Sequence, residues 1–193
     1  MDADASAQGL SGFNDWGLVV DIVKTAEDMG FELAGPIEAS AIECKRELRD
    51  YCNPEECPQY ASCWSCPPGA GSFEECCERI AACSGGVVVQ TVREGVDFND
   101  VETLAEIRTL HNGRLDELAD AVRGEGEGVY AFTTGGCRVC PTCTYPDGPC
   151  RYPQKQRLSL SAHGVDVAAL CERAGIEYGF ESGTIRFVGM VLQ

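Results

Sequence analysis

Cys137, Cys140 and Cys143 stand at steps of three, and six residues separate Cys143 from a fourth cysteine, Cys150. Steps of three let one tight backbone turn aim three thiolates at several corners of a cube-shaped cluster. The more distant fourth cysteine can then cover another corner. Bacterial ferredoxins use a related run, with proline following the last cysteine. Here Pro149 precedes Cys150 and Pro153 lies three residues beyond it. Zinc is the rival ligand, usually held by two two-residue-spaced pairs across a longer loop. Cys137/Cys140 with Cys143/Cys150 would serve it less naturally.

A second cysteine-rich stretch lies earlier, with Cys52, Cys57, Cys63 and Cys66. It offers enough thiolates for another site, at irregular spacing, and Cys63/Cys66 is its one two-residue-spaced pair. Pro67 directly after Cys66 matches the ferredoxin habit. Tyr60 and Trp64 are placed to shield a cluster from water or simply to pack. A redox dithiol at Cys63/Cys66 would need a helix starting at Cys63, and Pro67-Pro68 argues against one.

The elements that must position these loops are legible from periodicity. Trp16 to Gly30 spaces Leu18, Ile22, Val23, Ala26 and Met29 as a helix, closed by Gly30. Phe31 to Ala41 is ambiguous, with Gly35-Pro36 read as a turn. Ser72 to Cys83 reads as a short helix whose Ser72 and Glu75 have capping-box spacing. Val87 to Val92 is a β-branched run and a strand. Asn99 to Arg123 is a long helix with Val101, Leu104, Ile107, Leu110, Leu115, Leu118 and Val122 on one side and a potential bend at Gly113. Gly128 to Thr134 is a second strand, Gln154 to Ala174 largely helical with a break near Gly164, and Ile185 to Leu192 a final strand. The expected fold is α/β, a small sheet layered with helices and carrying two cysteine-rich metal-binding loops. Residues 1–14 read as a disordered acidic tail and 15–193 as a single metal-binding domain.

The remaining cysteines and both histidines read as structural. Cys76, Cys77, Cys83 and Cys171 fall on helices beside apolar neighbours, where cysteine packs as a small hydrophobe. Packing is also favoured for Cys44. His111 is expected to be exposed, and His163 to sit in a bend.

Charge narrows the functional classes. Against 15 Lys and Arg stand 31 Asp and Glu, a net charge of −16 over 193 residues. Such a surface repels phosphate backbones and anionic lipid headgroups, so neither nucleic acid nor membrane is expected as a partner. A redox partner protein with a basic docking patch is the expected one. The start has no basic segment followed by an apolar run, and no stretch reaches the ~20 apolar residues of a spanning helix. The chain is therefore expected in the cytoplasm, where 13 cysteines point to metal rather than disulfides.

The block Cys52, Cys57, Tyr60, Trp64, Cys66-Pro67-Pro68, followed by Cys137-Arg138-Val139-Cys140, Cys143 and Pro149-Cys150-Arg151-Tyr152-Pro153, resembles the predicted metal-binding proteins of domain-of-unknown-function family 2284. Ser161 to Val167 and the ending Phe187 to Leu192 are similar too. The resemblance implies metal binding, taken to be iron–sulfur and found mainly in anaerobic microbes; it supplies no reaction. Cys63 departs from the family pattern. Without it the first site has three cysteines and a fourth position that is open or filled from elsewhere.

These readings converge on an iron–sulfur protein with one or two [4Fe-4S] clusters that transfers single electrons to or from a partner enzyme. Two alternatives stand beside it. One is an enzyme whose open-site cluster binds or reduces a small substrate. The other is a zinc-stabilised interaction module without redox activity.

Overall fold

The computed structural model describes residues 16–124 and 128–193; the acidic tail expected over 1–14 lies outside them. The chain runs α1 (Trp16–Asp28), β1 (Leu33–Glu38), α2 (Arg46–Arg49), α3 (Phe73–Ala81), β2 (Gly85–Arg93), α4 (Val101–Arg123), β3 (Tyr130–Thr133), β4 (Arg157–Ser159), α5 (Val167–Arg173) and β5 (Ile185–Leu192). Three 3-10 turns, Ala39–Ala41, Pro153–Lys155 and Ser161–His163, join them. One five-stranded sheet has the order β1-β2-β5-β3-β4, antiparallel except for the β3–β4 pair. The α/β expectation holds.

Strand alternation sends successive side chains to opposite faces. Val88, Met190, Phe132 and Leu158 pair in register across four strands and pack with Ile80 of α3 and Leu170 and Cys171 of α5. Val87, Val191 and Ala131 form the adjoining row, which packs on the other face with Ile22 and Ala26 of α1 and Leu115 and Leu118 of α4. Helices thus cover both faces of the sheet. That double cover explains why the β2 valines form an unbroken apolar run instead of alternating with polar residues.

The capping box appears in full at α3, where Ser72 Oγ accepts from Glu75 N and Glu75 accepts from Ser72 N. The helix Asn99 to Arg123 forms as the uninterrupted α4, with Asp100 as its cap.

Four expectations are corrected. Gly35 and Pro36 form no turn; both lie within β1, which pairs with β2 alone and so tolerates proline at the sheet edge. Gly35 is required by a close approach, because a Cβ there would stand 2.0 Å from the Ala174 carbonyl oxygen. The stretch Gln154 to Ala174 is mostly not helix: it contains β4, whose three residues are drawn into strand by parallel pairing with β3. On α4 the buried stripe runs Ile107, His111, Leu115 and Leu118, while Val101 and Leu110 are exposed. His111 is accordingly fully buried, not exposed.

Candidate metal centre

Parallel neighbours such as β3 and β4 need a crossover of a dozen or more residues, normally an α-helix. Here residues 134–156 make that crossing, and this is the second cysteine loop. The first loop, residues 50–72, joins α2 to α3. The chain has therefore placed cysteine, proline and glycine where it would otherwise place regular secondary structure. The anchors are regular elements at both ends.

The two loops interlock. Cys137 N donates to Ser65 Oγ at 2.7 Å, and Ser65 is fully buried. Trp64 Nε1 donates to Gly148 O at 3.0 Å, and its ring meets Tyr145 edge-on at 4.9 Å. Gly136 lies flat against the first-loop sulfurs: a Cβ there would stand 3.0 Å from Cys66 Sγ and 3.2 Å from Cys63 Sγ. A side chain at this position would push into the space between the loops.

Cys137, Cys140, Cys143 and Cys150 line one narrow cavity of ≈ 20 Å³, roofed by Trp64 and walled by Val139 and Tyr152. The void is about the size of one water. The donor set, four soft thiolates from one irregular loop, is that of iron–sulfur clusters and structural zinc alike. Among the described residues, no group of three or more His, Cys, Asp and Glu is gathered around a point that would hold a single ion.

The first-loop cysteines differ in burial, Cys52 and Cys57 being half-buried. Cys63 and Cys66 are buried. The Cys63 sulfur beside it and burial raise the Cys66 thiol. Cys63 is held well below the usual thiol value by Cys66, the Ser65 hydroxyl at 3.3 Å and the backbone amides of Ser65 and Cys137. Cys57 stands close enough that its charge raises both Cys66 and Cys52, although burial is the larger cause at Cys52. Cys52 lines an open depression with Tyr60, Pro67 and Pro68. No helix begins at Cys63, so the arrangement of a thioredoxin-like dithiol is absent among the described residues.

Sequence reasoning missed several residues around the loops. Ser65 carried no signal beyond its place between two cysteines. Arg157, buried and paired to both Asp116 oxygens at 2.7–2.8 Å, brings positive charge near Cys137, where burial raises the thiol and Arg157 lowers it. Arg49 donates to the Ala162 and Gly71 carbonyls and to Cys76 Sγ at 3.1 Å. It fastens the start of the first loop to α3 and to the turn at Ser161–His163. Cys76 is thus buried as expected, with a guanidinium beside it. Cys171 sits in the core, and Cys44 and Cys83 pack against it, Cys44 with its thiol pushed up to about 12, mainly by burial. His163 is fully buried, its ring bonded through Nδ1 to Ser159 O and through Nε2 to Arg79, both at 2.8 Å.

Residues 35–193 match the family of predicted metal-binding proteins known as domain of unknown function 2284, and the chain belongs to that family. No curated protein and no solved structure matches it. Among the described residues, no helix is long and apolar enough to cross a membrane.

Proposed function

We propose that this metal-binding protein carries iron–sulfur clusters on its two loops and transfers single electrons to or from a partner protein in the cytoplasm. One cluster belongs to Cys137, Cys140, Cys143 and Cys150. The other belongs to Cys52, Cys57 and Cys66, with Cys63 beside them. The observation that carries the reading is that all four second-loop cysteines line one cavity. Three cysteines at steps of three with a more distant fourth suit a multi-atom cluster better than a lone tetrahedral zinc ion.

A bound cluster supplies reversible one-electron chemistry. The chain's own groups would tune it. Trp64 and Tyr145 exclude water from one side, and Arg157 lends positive charge near Cys137. Both effects shift a cluster's potential. The Cys137 N–H to Ser65 bond ties the two loops together, so the two centres would lie side by side. A net charge of −16 favours encounter with a basic partner surface.

The test is oxygen-free purification followed by iron, sulfide and zinc analysis. Equimolar iron and sulfide are expected, with a broad blue-region absorbance that chelation removes. Cys143→Ser should lose the second-loop share of both elements and leave the first-loop share. Stoichiometric zinc without sulfide would replace this reading by the zinc-stabilised module. Absence of all three elements would end it.

A further inference from the structure

A cavity of ≈ 830 Å³ opens beside the second loop, between α3, the end of α4 and the start of β3. Its walls include Trp64, Arg79, Arg123, Tyr130, Cys150 and Leu158. The volume is that of a site for an organic molecule. Two of the described residues lining it, Arg79 and Arg123, are arginines.

The two arginines are not equivalent. Arg123 is committed, donating to Asp120 and to Gln154 O. Arg79 has no carboxylate within ion-pair distance among the described residues. Glu75, one turn earlier on α3, stands at the spacing that normally forms such a pair. Its carboxylate is instead turned back onto Ser72 N at 2.6 Å in the capping box. What Arg79 Nη1 meets is His163 Nε2 at 2.8 Å and, at 4.0 Å, Cys76 Sγ. Because His163 Nδ1 donates to the Ser159 carbonyl, Nε2 is the lone-pair side of the ring and accepts from the guanidinium. Arg79 is therefore held in place by a neutral ring, with the Glu75 carboxylate near enough to feel its charge but bonded to Ser72. Its Nε and Nη2 have no protein partner and are not buried among the described residues. An arginine in that state presents the fork that carboxylates and phosphates take up bidentately.

We propose that this cavity binds a small organic anion, a carboxylate or phosphate on an apolar or aromatic body, gripped by Arg79 and packed against Trp64 and Tyr130. The anion lies alongside Cys150. The site rests on α3, β3 and the loop backbone and needs no particular metal, so its failure and that of the electron-transfer reading are separable.

The test is isothermal titration calorimetry on the full-length, metal-loaded protein with three probes: inorganic phosphate, phenyl phosphate and benzoate. Phenyl phosphate or benzoate is expected to bind more tightly than inorganic phosphate, and which of the two wins assigns the anion class. Arg79→Gln should weaken the preferred probe about 10- to 100-fold, the effect of losing a charge-assisted bidentate contact. Arg79→Lys, which keeps charge without the fork, should fall between. Arg138→Gln, at an exposed arginine outside this cavity, should leave affinity unchanged. Iron, sulfide and zinc contents are measured on each variant and are expected to match the parent. In unmutated protein the Trp64 indole NMR signal should move on titration, so the result does not depend on any variant folding. No heat and no Trp64 shift with any probe at millimolar concentration, or equal affinity in wild type and both Arg79 variants, overturns the proposal.

Discussion

Ser65→Ala tests whether the two loops are one assembly. Ser65 is fully buried, and its Oγ accepts from Cys137 N at 2.7 Å while lying 3.3 Å from Cys63 Sγ. Alanine fills nearly the same volume, so the packing cost is small. What is lost is the hydroxyl acceptor for an amide that sits between the loops, which leaves it only the weaker Cys63 sulfur. Losing that hydrogen bond costs about 0.5–1.5 kcal/mol, a factor of about 2 to 12 in an opening equilibrium. Hydrogen exchange at the Cys137 amide should accelerate by that factor. Release of metal from the second loop to a chelator should accelerate with it, because Cys137 is the loop's first thiol and its backbone would be less firmly pinned. Exchange at core amides such as Val88 should be unaffected beyond the small change in global stability. If Cys137 exchange and metal release both match wild type, the loops are held together by something other than this bond and the reasoning is wrong.

Acid should destabilise the fold through its two buried histidines. His111 and His163 both fall from 6.5 to about 4, mainly because burial opposes the charged ring, with Arg114 adding to it at His111 and Arg79 at His163. Between those values the unfolded chain binds the protons and the folded chain does not. Stability is therefore intact above about pH 6.5 and falls as pH drops toward 4, by on the order of 3 kcal/mol per histidine at about 1.36 kcal/mol for each pH unit. Urea unfolding of wild type and His111→Phe across that range should show a shallower loss in the variant; parallel curves would contradict the assignment. Two glycine-to-alanine changes should move stability in opposite directions. Gly35→Ala drives a methyl to 2.0 Å from the Ala174 carbonyl oxygen and should cost several kcal/mol, whereas Gly113→Ala meets nothing within 4 Å in mid-helix and should gain about 0.5–1 kcal/mol by the same assay.

The elements that formed as expected are those whose signal is local. A capping box at Ser72 and Glu75, a run of β-branched residues at Val87 to Val92 and the apolar ending at Ile185 to Leu192 each specify their conformation within a few residues, and α3, β2 and β5 follow. Helical spacing likewise showed where α4 lies, but not which of its faces is buried, because Leu110 and His111 are adjacent and only the sheet beneath decides between them. Cysteine spacing marked both loops for the same reason: residues close in sequence are constrained to be close in space. The structure settled what depends on contacts between distant residues. Strand β4 has no periodicity of its own and exists because β3 lies beside it. Gly35 reads as a turn until Ala174 arrives against it. The contact of Gly136 with Cys63 and Cys66, the bond from Cys137 to Ser65 and the setting of Arg79 by His163 all join residues 70 or more positions apart. No local pattern encodes such pairs, since their energy is realised only after the intervening chain has folded.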